Sequence, residues 1–336
     1  MTNIIILPKI WREVLTKMLL KIDRRLIVTV LLMTSLIFLI WLASLFMVKG
    51  PQKIGATYMT LNNSFYQAIN EELKKATDLK GDILYTRDPA LDVDKQCQQI
   101  EEFIEKKVSV IVINPVDGEN KKIQQALRRA HKKKIKIIAV DSQLSDSSYI
   151  DSSIVSDNFR AGKLSAQYLM KHEQAANILV LRHWNALSVK ERYAGFLATL
   201  DSTKYQVTQN VETLGQTDIA LKQTLKTLQQ GNKKFDAIMA LDDQSAIGAL
   251  AALDSLALKG SIPVYGIDGS SDMKKLLLSD PNAKATVAQS PIALGKKVVQ
   301  TCYQLFDQQK VKKEIIVPVY LLTKDNIKNY DVSGWQ

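Results

Sequence analysis

From residue 50 onward, short apolar runs alternate with longer stretches in which apolar positions return every three or four residues. The runs lie at residues 54–58, 83–85, 108–113, 135–140, 178–181, 235–240, 262–267 and 285–288. Each has the length and the continuous apolar character of a strand buried on both faces. Between them, Phe65, Ile69 and Leu73 within residues 63–76 mark one side of a helix, and Cys97, Ile100, Phe103 and Ile104 mark the side of the next. Such alternation predicts parallel sheets covered by helices on both faces. Eight units exceed one ordinary sheet, so the pattern predicts an α/β protein with two doubly wound lobes.

Ahead of this alternation, residues 26–48 form an uncharged apolar run, LIVTVLLMTSLIFLIWLASLFMV. A helix needs ~20 such residues to cross a hydrocarbon core. Before it lie Lys9, Arg12, Lys17, Lys21, Arg24 and Arg25 against Glu13 and Asp23, a flank of +4 that the positive-inside rule holds in the cytoplasm. Everything after Lys49 is then expected to be extracytoplasmic. A cleaved secretory signal has a shorter apolar core and ends in a small-residue site, whereas this run ends Ser44-Leu45-Phe46-Met47-Val48. An uncleaved single-pass anchor is therefore expected, and with no Cys in or just after the run the lipoprotein attachment site is missing. Residues 4–22 mix apolar and basic positions with Pro8 as an interruption, which suits either a helix on the inner leaflet or an ordinary topogenic flank.

Composition narrows the function. The 336 residues are 46% hydrophobic and 24% charged with two Cys, which excludes a disordered chain and a disulfide scaffold. Of the net charge of +11, the flank carries +4, and the remaining +7 is dispersed over the 288 residues from Lys49. The cluster at 128–134, RRAHKKK, sits where a helix C-terminus is expected and reads as a solvated basic end, not a nucleic-acid site. His131, His172 and His183 have no neighbours at metal-ligand spacing, so no metal is expected. The chain shows no P-loop, dinucleotide turn or nucleophile with its base, so neither a cofactor nor an enzymatic activity is expected. Cys97 and Cys302 fall on helices among apolar neighbours, where free thiols are the default and an extracytoplasmic disulfide stays open.

In open parallel sheets, ligands bind outside the carboxyl ends of the strands. The polar residues there are Thr60 to Asn63, Asn114, Asp141, Ser142, His183 to Asn185, Asp242, Asp243, Asp268 and Gln289, with Arg192 in the sequence KERYAGF. Carboxylates accept hydroxyl protons, and Asn, Gln and Arg supply fixed donors, so this inventory suits a polyhydroxylated ligand. An Asp after a strand also serves as a helix N-cap, so each carboxylate has an architectural alternative. Phe65 begins the apolar face of its helix and has a core alternative to a ligand contact.

The chain from about Lys53 to Tyr330 resembles the type I periplasmic sugar-binding proteins of the ribose and galactose branch. The resemblance is carried by an ordered series: TLNNSFY at 60–66, INP at 113–115, AVD at 139–141, SDN at 156–158 with Gly162, and Glu191-Arg192 before Gly195-Phe196. It continues with Asp242-Asp243 before Gly248-Ala249, GIDG at 266–269 and ATVAQ at 285–289. The resemblance implies two hinged lobes joined by three crossovers, the first from residues 50–156 and 290–317 and the second from 157–289 and 318–336. It implies a ligand shell of Asn63, Phe65, Tyr66, Asp141, Arg192, Asp268 and Gln289. Three positions depart from the ribose pattern: Ser142 replaces Arg, Asp242 replaces Asn, and Gln216 stands where an aromatic is expected, a face that Trp184 supplies if it lines the cleft, with packing inside the lobe as its alternative. The exchange makes the pocket more acidic and moves the expected ligand from ribose to another pentose, a hexose, an amino sugar or a different polyol. The implied function is that of a membrane-anchored substrate-binding protein delivering a sugar to an ABC transporter permease, with a sensor histidine kinase as the alternative partner. A membrane-tethered transcription regulator fits less well, because residues 1–25 cannot hold a DNA-binding domain, and a glycan hydrolase, which requires paired carboxylates across one bond, is the enzyme alternative that turnover of a sugar would support.

Overall fold

The computed structural model describes residues 13, 24–45, 50–231 and 234–335. The mixed stretch at 4–22, apart from residue 13, and residues 46–48 of the apolar run lie outside the described residues. The chain divides into two units, Met1–Gly50 and Pro51–Gln336. In the first, helix α1 (Arg24–Leu45) contains a segment, Arg25–Leu42, long and apolar enough to cross a membrane. Its apolar side chains, Leu31, Ile37 and Phe38 among them, are exposed on every side, so α1 has no packed face within its unit.

The second unit contains two six-stranded sheets. The first has the order β11-β5-β4-β3-β1-β2, all parallel, built from β1 (Lys53–Thr57), β2 (Ile83–Arg87), β3 (Val110–Ile113), β4 (Lys136–Val140), β5 (Ser152–Ser156) and β11 (Glu314–Val317). The second has the order β12-β10-β9-β8-β6-β7, built from β6 (Ala176–Arg182), β7 (Tyr205–Glu212), β8 (Ala237–Ala240), β9 (Val264–Asp268), β10 (Ala283–Ala288) and β12 (Tyr320–Thr323). All its pairings are parallel except that of β12 with β10.

Helices cover the sheets: α2 (Ser64–Lys80), α3 (Val93–Glu105) and α4 (Lys121–Lys132) follow strands of the first lobe, and α10 (Pro291–Phe306) packs on α2, β4 and β5. The second lobe carries α5 (Asn158–His172), α6 (Leu187–Thr199), α7 (Thr217–Gln229), α8 (Asp243–Ser255) and α9 (Ser271–Ser279). The chain thus changes lobe three times, after β5, β10 and β11.

Each predicted run became a strand, and the central ones are dry: Ile111, Ile113, Ile137 and Ile138 are fully buried, each stabilising the fold by about 1.5–3 kcal/mol. Strands β5, β7, β11 and β12 are additional to the pattern read from sequence. Their composition hides them, since β5 reads SSIVS and β7, at a sheet edge, reads YQVTQNVE with mixed burial. Helix starts follow local chemistry: the side chains of Asn63, Asp92, Asn120, Asp157, Asp242, Ser270 and Ser290 each accept a backbone N–H in the first turn. Cys97 and Cys302 are free thiols, the first half-buried and the second buried.

Candidate functional site

The carboxyl ends of both sheets face one another across a small cleft that encloses about 40 Å³. The lobes touch around it: Ser188 N–H donates to Ser142 Oγ at 3.2 Å, Gly118 N–H to Asn185 O at 3.2 Å, and Gln143 Nε2 to Glu191 Oε1 at 3.1 Å. This is a closed form, with Asp141 and Asp268 only 3% and 7% exposed.

The first lobe contributes the loop after β1 and the residue after β4. Asn63 Oδ1 caps α2 through Phe65 N–H at 2.9 Å, so the side chain that starts the helix also lines the cleft. Tyr66 stacks beside Tyr58, with ring centres 6.1 Å apart, and donates its hydroxyl to Asp141 Oδ2 at 3.2 Å. Asn114 Nδ2 reaches the same oxygen at 3.3 Å, while its Oδ1 accepts Met59 N–H. Asp141 Oδ1 is buried without a hydrogen-bond partner.

The second lobe presents Arg192 from α6, Gln216 ahead of α7, Asp242 after β8, Asp268 at the end of β9 and Gln289 after β10. Arg192 Nε donates to Asn158 Oδ1 at 2.9 Å, and its Nη1 donates to Leu241 O at 2.7 Å and Asp268 Oδ1 at 3.2 Å. The helix carrying it lies unusually close to α5: a Cβ on Gly162 would sit 1.8 Å from Arg192 O, and one on Gly195 would sit 2.0 Å from Phe159 O. Gln289 Nε2 donates to Asp268 Oδ1 at 2.6 Å, leaving its buried Oε1 without a partner. Asp242 caps α8 through Ser245 N–H and also lines the cleft. Asp141 and Asp268 have φ of 65° and 144°, backbone that costs side-chain-bearing residues about 1–3 kcal/mol and is concentrated at ligand sites.

Electrostatically the cleft is acidic. Burial raises the pKa of Asp141, Asp242 and Asp268, and the Arg192 charge opposes that rise at all three. Behind them, burial pushes Asp243 up to about 6 against hydrogen bonds from Thr286 and Ser270. For Arg192, burial works against the charged form, but Asp268, Asp141 and Asp242 together lift its pKa. Burial lowers the pKa of His183, partly countered by Asp242, Glu212 and Asp117.

Nine of the residues singled out from sequence line this cleft: Asn63, Phe65, Tyr66, Asp141, Arg192, Gln216, Asp242, Asp268 and Gln289. Ser142 and Trp184 are not among its lining residues. Ser142 is turned toward Ser188, and Trp184 packs against Tyr193 with Arg182 4.3 Å and Lys190 5.4 Å from its ring centre. His183, named among the strand-end polar residues but not in the expected ligand shell, also lines the cleft, as do Val189 and Leu214, which were not selected from sequence. His183 directly follows β6, which was a usable signal; Leu214 follows β7, a strand the apolar pattern did not reveal.

Two further contacts come from the tail after β12. Lys274, buried in the second lobe, donates to Asp331 O and Gly334 O at 2.5 Å each, and Trp335 meets Phe65 of the first lobe edge-on with ring centres 5.5 Å apart.

Two parallel α/β lobes closed over a polar cleft at their strand ends define a hinged binder of a small polar ligand. The periplasmic binding protein domain family matches residues 54–310, and the chain belongs to that family, in its type I sugar-binding branch. The ribose import binding protein of Bacillus subtilis is 28% identical over 278 residues, covering 82% of this chain and 88% of that protein. Its Escherichia coli counterpart is 27% identical, covering 81% and 90%. Among solved structures, an ABC transporter solute-binding protein from Agrobacterium vitis with bound D-fucose has a TM-score of 0.77 and 26% identity, covering 83% of this chain and 98% of that one.

Proposed function

We propose that this chain is a membrane-anchored, extracytoplasmic substrate-binding protein that closes on a small sugar and presents it to an ABC transporter. The observation that carries the reading is the cleft itself: aromatic Phe65 and Tyr66, the carboxylates of Asp141, Asp242 and Asp268, one guanidinium, and two buried acceptors, Asp141 Oδ1 and Gln289 Oε1, without partners. Hydroxyl groups supply the missing donors, and a ligand bridging both lobes stabilises the closed form by its extra contacts there. The relatives named for ribose import support delivery to a permease. Helix α1, apolar on every side, supports the anchor.

The test is a thermal-shift screen of the full chain in detergent against a monosaccharide and cyclitol panel, since a ligand of the folded state raises its apparent stability. At least one sugar is expected to raise Tm. Shifts with nucleosides or amino acids and none with any hydroxylated ring would overturn the assignment. The anchor favours a second reading of the partner, because a tethered binder remains beside a resident membrane protein: a histidine kinase that reads the closed form. Crosslinking in membranes separates the two by whether a permease or a kinase is recovered.

A further inference from the structure

The charges in the closed cleft do not balance. Asp141 from the first lobe and Asp242 and Asp268 from the second line it, and Asp243 lies buried directly behind. Among the described residues, the only ion pair that reaches any of these carboxylates is Arg192 with Asp268 at 3.2 Å. The oxygens of Asp141 and Asp242 accept only neutral donors, from Tyr66 and Asn114 in one case and Ser245 in the other. Lys274, the other buried cation among the described residues, is held by the carbonyls of Asp331 and Gly334. Burial disfavours the charged form of His183, against the pull of its acidic neighbours. The described residues include no cluster of His, Cys, Asp and Glu fit to hold a metal ion. Lobe closure therefore buries carboxylates from opposite sides around one guanidinium, an arrangement that is costly unless a cation enters or a carboxyl takes up a proton. Asp141 Oδ1, buried, unpartnered and lining the cleft, marks where a donor is missing.

We propose that the ligand is a hydroxylated ring bearing a protonated amine, an amino sugar or aminocyclitol, whose ammonium is held between Asp141 and Asp242. The inference rests on the carbohydrate reading of the cleft and narrows it. The hydroxyls meet Asn63, Arg192 and Gln289, and the ring face meets Tyr66. The charge on the ligand then adds to that of Arg192 in offsetting the two carboxylates that make no ion pair, and closure is favoured by it.

Isothermal titration of the full chain in nanodiscs with matched probes tests this: glucosamine against glucose, galactosamine against galactose, and 2-deoxystreptamine against myo-inositol. At least one amine is expected to bind about tenfold or more tighter than its neutral parent. In Asp242→Asn, which keeps a helix-capping side chain, that preference is expected to fall by about tenfold, to near parity with the neutral parent. A neutral parent that binds the unaltered chain as tightly as its amine, with or without calcium, overturns the inference and leaves the carbohydrate reading standing. Binding of putrescine or lysine with no response to any hydroxylated ring overturns both. An amine-to-neutral ratio unchanged in folded Asp242→Asn also overturns the inference.

Discussion

Arg192 shows how one residue serves the fold and the site together. Its side chain is 3% exposed, fixed by Asn158 and Leu241 O, and its charge answers Asp268. Removing one member of a buried pair leaves the other uncompensated, which costs far more than the pair itself contributes. Arg192→Ala is accordingly expected to destabilise the folded chain by about 3–5 kcal/mol in urea denaturation and to abolish ligand binding. A loss below about 1 kcal/mol would show that Asp268 is neutral in the folded state. Individual residues were also where sequence reading was least sharp. Asp141, Asp268 and Gln289 were legible because each ends an apolar strand, a position that faces the cleft in any parallel sheet. His183 and Trp184 follow the same strand one residue apart, and nothing in their order tells which side chain enters the cleft. The structure turns His183 inward and places Trp184 against Arg182, Lys190 and Tyr193.

At the level of elements, the contact between α5 and α6 sets the position of Arg192. Gly162 and Gly195 leave no room between the two helix backbones, and each meets a main-chain carbonyl of the other helix, which cannot rotate away as a side-chain tip does. Gly162→Ala forces the helices apart at the turn that carries Arg192. The expected result is a loss of about 2–3 kcal/mol by urea denaturation, with ligand affinity falling alongside. Unchanged stability would mean that the helices move apart freely. The glycines themselves stood out in the sequence, but their pairing did not, because the two positions meet only when consecutive helices pack on the same sheet face. Strands β5 and β7 escaped for a related reason. Their polar residues satisfy the ladder as well as apolar ones do, and the burial that makes them strands comes from neighbours distant in sequence.

The molecule as a whole is two lobes that share a chain. Three crossovers link them, and the tail adds a further contact by carrying Trp335 from the second lobe to Phe65 of the first. The proposed topology belongs to this scale. Protease added to wall-stripped cells is expected to digest residues 51–336 while a tag ahead of Glu13 stays protected; protection of both would place the lobes in the cytoplasm. The sequence by itself determined the apolar segment that becomes α1, the alternation that makes two α/β lobes, and the strand-end carboxylates Asp141, Asp242 and Asp268. Those features depend on local periodicity and on strand ends, which the order of residues specifies directly. Only the tertiary structure decided that Asp141 and Asp242, about a hundred residues apart, face one cavity with a single guanidinium to answer three carboxylates. Charge balance is a property of separation and burial. Both are set by how the lobes close, not by any stretch of chain.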